Sequence, residues 1–297
     1  MNTPFNFRLT KFPNEAEILR HEVREFLSDA LKDIPKETRA ETWYGADENF
    51  SRKVGKKGWI GLNWPKEYGG AGRSSMERYV ILEEMLTAGA PVGAHWISDR
   101  QSGPLIIRYG SEKHQKELLP GILKGESYFC IGMSEPDSGS DLAALRTKAE
   151  KKGDKYIVNG TKLWTSGAHR CQYMIALFKT SHEEDRHGGF SQFIVDLSLP
   201  GVTIRPIIDL AGRHHFNEVV FEDVEVPADM LIGTEGDGWN QVTAELALER
   251  SGPERYLSSY ILLQELVNEF SNKNDDEGVV EIGRQMSHLT TLRQMSV

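Results

Sequence analysis

Apolar residues recur at three- and four-residue steps from Glu15 to Leu31 (Ile18, Leu19, Val23, Phe26, Leu27, Ala30, Leu31), which puts them on one face of a helix. A second such stretch runs from Met76 to Ala88, and a third from near Pro104 through SEKHQKELLPGIL, where Ser111 reads as an N-cap. The pattern predicts a mostly helical domain over residues 1–126. At Ser127 it changes to short runs rich in β-branched and aromatic residues: YFCIGM, KYIVNG, CQYMIALF, FSQFIVDL, VTIRPII and NEVVFEDVEVP. Turn residues at Lys151–Lys155, His187–Gly189 and Leu199–Gly201 separate them, and such short links favour antiparallel pairing over crossover helices. A central antiparallel β-barrel or sandwich domain is therefore predicted over 127–233. Helical periodicity returns from Val242 to Phe270, breaks at SNKNDDEG, and resumes to Val297, so 234–297 reads as the start of a C-terminal helical bundle. The predicted fold class is α+β, in the order helices, sheet, helices, with no internal repeat.

Charge and composition narrow the function classes. Lys plus Arg number 35 against 44 Asp plus Glu, a net charge of −9, which disfavours nucleic acid and anionic membranes as partners. No apolar run approaches the roughly 18 residues of a membrane helix, and the N-terminus has Asn, Pro and Glu where a secretory signal has an apolar core, so a cytoplasmic protein is expected. Two cysteines, Cys130 and Cys171, are too few and too far apart in sequence for a disulfide framework or a four-cysteine zinc site, and both are expected to be reduced core residues. No metal site is predicted: His214 and His215 are adjacent, so on a strand they point to opposite faces. GTEGDG, Gly233 to Gly238, is glycine-rich but follows VPADMLI rather than a clean strand of a βαβ unit, so it is not read as a dinucleotide fingerprint.

Two segments carry candidate chemistry. SEPDSGSD, Ser134 to Asp141, leaves a predicted strand with hydroxyls and freed backbone amides that suit a polar ligand group, or an ordinary Ser/Asx turn. In NGTKLWTSGAH, Asn159 and Gly160 suit a tight hairpin turn. Trp164 next to Thr165 and Ser166 then suits a planar heterocycle, or a core tryptophan at a strand end.

Through SEPDSGSD, the run KAEKKGDKYIVNGTKLWTSG (Lys148 to Gly167), FEDVEVP (Phe221 to Pro227) with GTEGDGW after it, and LALERSG (Leu246 to Gly252), the sequence resembles the acyl-CoA dehydrogenase family of flavoproteins. These blocks stand in the family's order at about its separations. The resemblance implies FAD as cofactor, with Ile131, Met133 and Ser134 along the isoalloxazine, Trp164 against the ring, and Thr165 and Ser166 in the second flavin segment, Ser166 toward N5. It implies that Ser140 and Arg250 border the acyl-CoA substrate. The reaction implied is α,β-dehydrogenation of the thioester, with electrons passing to an electron-transfer flavoprotein or similar acceptor.

In most of the family the catalytic carboxylate lies beyond the region this sequence matches; a minority carries it on the first helix after the sheet in an LER context, which here is Leu248-Glu249-Arg250. Glu249 is the expected base, the other reading being a helix-surface glutamate in a run with Glu245 and Glu254. Two features depart from the family: its Arg-x-x-Phe-Gly element is not visible around SNKNDDEG, and RHHFNEV (Arg213 to Val219) replaces a smaller Ser/Thr-containing stretch. A homo- or hetero-oligomer is expected, since part of a helical bundle leaves apolar faces uncovered. The alternative function is a non-catalytic subunit of the same ancestry that binds acyl-CoA or pairs with a related chain.

Overall fold

The computed structural model describes residues 9–249, 252–271 and 276–297, the side chains of residues 42 and 246–249 excepted. In chain order its elements are α1 (Asn14–Ala30), α2 (Lys36–Ala40), α3 (Glu48–Lys56), α4 (Ser75–Thr87), α5 (Gly93–Ile97), α6 (Gly103–Tyr109), α7 (Glu112–Leu123), β1 (Phe129–Gly132), β2 (Lys148–Lys152), β3 (Lys155–Ser166), β4 (Tyr173–Lys179), β5 (Phe190–Asp196), β6 (Val202–Ile208), β7 (His214–Pro227), α8 (Gly238–Glu249), α9 (Glu254–Leu257), α10 (Tyr260–Phe270) and α11 (Asp276–Ser296). The order helices, sheet, helices is the predicted one. They form two compact units, Met1–Ala46 with Arg73–Val92 and Arg250–Val297, and Asp47–Gly72 with Gly93–Glu249. Residues 93–126 and 234–249, assigned from sequence to the flanking helical domains, thus pack in the unit that holds the sheet.

In the first unit α1 buries Leu19, Val23 and Leu27, and α4, which packs against α1, buries Val80, Ile81 and Met85. Ser74 starts α4 with a capping box: its hydroxyl accepts from Glu77 N while its own N–H donates to Glu77. Arg20 on α1 donates to Glu83 at 2.7 Å and to Glu84, Arg24 donates to Glu84 at 2.7 Å, and Arg293 of α11 donates to Glu83. Each buried carboxylate here has a cationic partner, as burial requires.

In the second unit the predicted helix from Pro104 to Leu123 is two helices, α6 and α7, because Gly110 ends the first in an extended conformation and Ser111 caps the second. His95 on α5 is buried and its Nδ1 shares a 2.8 Å hydrogen bond with the Ser51 hydroxyl. Burial pushes this imidazole down to about 4, with Asp99 pulling the other way. An unfolded histidine titrates near 6.5, so between the two values the unfolded chain takes up a proton that the folded one refuses. Stability is therefore full above pH of about 6.5 and declines as pH falls toward 4, by an amount on the order of 3 kcal/mol. Urea midpoints measured across that range should show the decline, and His95→Gln should make it shallower; an unchanged slope in the variant would remove His95 as a source of it.

The sheet order is β1-β4-β2-β3-β7-β6, with β5 also on β4. It is mixed rather than purely antiparallel: β2–β3, β3–β7, β4–β5 and β6–β7 are antiparallel as predicted, but β1 runs parallel to β4. The β2–β3 hairpin intervenes between β1 and β4, so no tight turn joins that pair and antiparallel direction is not imposed. The Asn159-Gly160 turn is a second correction. The tight turn falls at Gly153-Asp154, where Lys152 pairs with Lys155, and β3 runs straight through Asn159 and Gly160. There the ladder shifts register instead, and Asn159 exchanges side-chain hydrogen bonds with Asp223 opposite it. Gly160 is required because a Cβ would lie 2.5 Å from the Thr147 hydroxyl.

Tyr156, Phe178, Phe193 and Phe221 fill the sheet's core. No helix among the described residues is long and apolar enough to cross a membrane.

Candidate functional site

The site is built where the exit of β1 meets the end of β3. Leu163 N donates to Ser134 O at 2.8 Å, tying the two motifs together. After β1, residues Glu135 and Ser138 exchange backbone hydrogen bonds of 2.8 and 3.1 Å, so SEPDSGSD turns back tightly and leaves Ser140 exposed at the loop surface. Glu135 itself points inward, accepting from Arg146 N at 2.6 Å, Thr147 N at 3.0 Å and Lys162 Nζ at 2.8 Å. Lys162 is wholly buried and donates a further bond to Met133 O at 3.2 Å. Burial raises the Glu135 carboxyl, but Lys162 and the two backbone donors outweigh it, leaving it below the usual carboxylate range. Burial pushes the Lys162 ammonium down to about 8 against the pull of Glu135, so it keeps its charge at neutral pH.

Period-two alternation along β3 puts Tyr156, Val158, Gly160 and Lys162 inward, and would put Trp164 inward next. A bulge between Lys162 and Thr165 prevents this: Trp164 has φ +60°, a region sparse for non-glycine residues, and stands 55% exposed with its ring edge on Phe216. Thr165 takes the buried place, its hydroxyl without a partner among the described residues, while Asn217 of β7 donates to its carbonyl at 2.9 Å. Ser166, half-buried, follows on the opposite face from Thr165.

Behind this segment His169 and His214 stack with centroids 3.8 Å apart, both against Asn217 Oδ1 at 3.2 and 2.7 Å. Desolvation first, and then His214, push His169 down to about 4, so that ring serves neutral as a hydrogen-bonding prop for Asn217, with His214 stacked on it. Cys130 and Cys171, distant in sequence, are close enough that burial and Cys171 together drive the Cys130 thiol well up, and both are free thiols. In GTEGDG the Gly236 amide is taken by Ser191 Oγ and Glu235 accepts from the Tyr156 hydroxyl, so the loop is fastened to the sheet.

The structure thus brings Met133 and Ser134 together with Trp164, Thr165 and Ser166, and Ile131 lies half-buried two residues upstream of Met133 on β1. Among the described residues, the hydroxyls of Ser134 and Ser166 and the Ser134 amide have no protein partner. Unpaired donors on two joined segments beside an exposed flat ring are what an isoalloxazine needs, so the residues present fit a flavin. Glu249 ends α8 with its side chain outside the described residues, and Arg250 lies outside them altogether. Sequence reasoning missed Glu135, Lys162 and Asn217 as parts of the site. The available signal was a lysine on the inward register of an otherwise apolar strand.

A cavity of about 990 Å³ lies within the first unit, lined among others by Arg20, Arg24, Glu83, Glu84 and Arg293. Those charges already neutralise one another, so it carries no site argument despite its size.

The family description "Acyl-CoA dehydrogenase, N-terminal domain" matches residues 13–126 and "Acyl-CoA dehydrogenase, middle domain" matches 130–224. Acyl-CoA dehydrogenase FadE29 of Mycobacterium tuberculosis is 39% identical over 83% of this chain and 64% of its own length. Among solved structures, the Tcur3481-Tcur3483 steroid ACAD superposes with a TM-score of 0.87 at 30% identity, covering 96% of this chain and 75% of that one. The ChsE4-ChsE5 complex of Mycobacterium tuberculosis gives 0.83 at 31%, covering 97% and 76%. The chain spans just under two thirds of the length of the curated relatives it matches, 64% and 63% for the first two.

Proposed function

This chain belongs to the acyl-CoA dehydrogenase family, whose members use FAD, and from that premise we propose that it binds FAD and carries out α,β-dehydrogenation of an acyl-CoA thioester. The observation that supports this most directly is the 2.8 Å bond between Leu163 N and Ser134 O, which joins two segments whose free donors flank Trp164. FAD, when bound, supplies the two-electron acceptor for hydride leaving the substrate β-carbon. Ile131, Met133 and Ser134 at the exit of β1 would hold the flavin together with Trp164 and Ser166 of β3, with Thr165 as the buried anchor between them. Donors fixed before the reaction favour negative charge arriving on the ring at no cost in reorganisation. Ser140 and Arg250 border the acyl-CoA. Glu249 takes the α-proton, a task that needs a carboxylate in a dry setting because the thioester α-carbon is a weak acid. Electrons then leave to an electron-transfer flavoprotein or a similar acceptor.

The reading includes association with a second copy or a related chain. Leu262 on α10 and Val279, Val280 and Met295 on α11 are more than half exposed, and ChsE4-ChsE5, a structural relative, is a complex of two chains. One preparation tests both parts. Purified protein, reconstituted with FAD if needed, is expected to show flavin absorbance, to bleach when acyl-CoA is added anaerobically, and to sediment as an oligomer. Protein that takes up no FAD, or that keeps full absorbance with straight-chain, branched and steroid acyl-CoA alike, overturns the dehydrogenase assignment. A folded, colourless oligomer would favour the non-catalytic subunit.

A further inference from the structure

Three observations around Lys162 go beyond fastening a loop. Its ammonium is wholly buried, yet among the described residues it lies within hydrogen-bond distance of one carboxylate, Glu135, and it spends a second bond on the carbonyl of Met133. Glu135 already holds the loop through Arg146 N and Thr147 N. Apolar side chains staple strands at lower desolvation cost than a buried charge. The Met133 carbonyl belongs to the same peptide unit as the Ser134 N–H, the amide left without a protein partner among the described residues. A cation on the oxygen of a peptide draws electron density from its nitrogen and makes that N–H a stronger donor, more so in a low-dielectric interior.

We propose that Lys162 is a positioning residue of the flavin site: held by Glu135, it polarises the Met133–Ser134 peptide and so strengthens the donor that Ser134 presents to the ring. The inference rests on the flavin reading of the previous section. Its consequence is electrostatic. Reduction brings negative charge to the flavin, a stronger donor stabilises that charge more than it stabilises the oxidised ring, and the reduction potential rises.

The test uses the full chain loaded with FAD and measures the two-electron midpoint potential by equilibration with a reference dye, together with FAD affinity. Lys162→Met combined with Glu135→Gln removes both charges without stranding either. The expected result is a flavin that is bound but harder to reduce, the oxidised-to-reduced equilibrium shifting on the order of tenfold, about 30 mV for a two-electron couple. Lys162→Gln, whose amide can still donate to Met133 and Glu135, protects against misfolding of the double variant and is expected to shift the potential the same way by less. A potential equal to that of the parent in either variant that folds and holds FAD overturns the proposal. Parent protein that takes up no FAD at all would instead defeat the flavin reading itself, so the two failures are distinguishable.

Discussion

Glu249→Gln is expected to leave FAD bound and to slow flavin bleaching by acyl-CoA by roughly 10²–10⁴-fold, the usual worth of a positioned general base. Glutamine keeps the size of the side chain and suits the end of α8, but its amide cannot take the substrate's α-proton at neutral pH. The proposed flavin contacts come from β1 and β3 and their exits, so the ring should stay in place. The alternative for Glu249 is a member of a glutamate run used for side-chain pairing. Within that run Glu245 is buried and accepts from Gln192 of β5 at 3.1 Å, so its carboxylate is committed to holding α8 on the sheet. Stopped-flow absorbance in single turnover reads the chemical step. Reduction of the variant at the rate of the parent would take Glu249 out of the mechanism.

Phe193→Ala is expected to destabilise the sheet unit by about 3–5 kcal/mol. Phe193 lies on β5 with no exposure, its ring edge-on to Tyr156 at 4.8 Å and tilted against Phe178 at 5.7 Å, so truncation leaves a cavity and removes two aromatic contacts. Tyr156 is on β3, the strand that carries Lys162, Trp164 and Ser166, and loosening its inner face should release flavin at a lower temperature than in the parent. Denaturant unfolding should show a lower midpoint with the same slope. A loss below about 1 kcal/mol would mean that the surrounding aromatics close the gap, and that the core is more adaptable than its packing implies.

Much of the architecture was legible because it is written in local periodicity. The three-to-four spacing of Leu19, Val23 and Leu27 gives α1, Ser111 caps α7, and the six β-branched runs become β1 and β3 to β7 within a few residues, whereas β2, Lys148–Lys152, is a charged strand of the hairpin that carries no such signal. Gly153-Asp154, within the predicted Lys151–Lys155 turn, makes the hairpin. Asn159-Gly160 failed as a turn because its signal is shared with a register shift, and only the partner strand, through Asp223, decides between them.

The site divides in the same way. Ser134, Trp164 and Ser166 could be picked out by their motifs, while the Glu135–Lys162 pair spans 27 positions of sequence and Asn217 reaches Thr165 across 52. Such partners depend on strand register, which no single segment contains.

By itself the sequence determined most of the longer helices and strands, their order and the family, and it singled out the segments proposed for the cofactor, because these follow from short-range patterns and side-chain identity. Only the tertiary structure decided that β1 runs parallel to β4, that Cys130 meets Cys171, and that a bulge turns Trp164 out and Thr165 in. The physical reason is that burial and hydrogen-bond satisfaction are settled between strands: the buried charge of Lys162 is tolerable only where Glu135 and the Met133 carbonyl already wait for it.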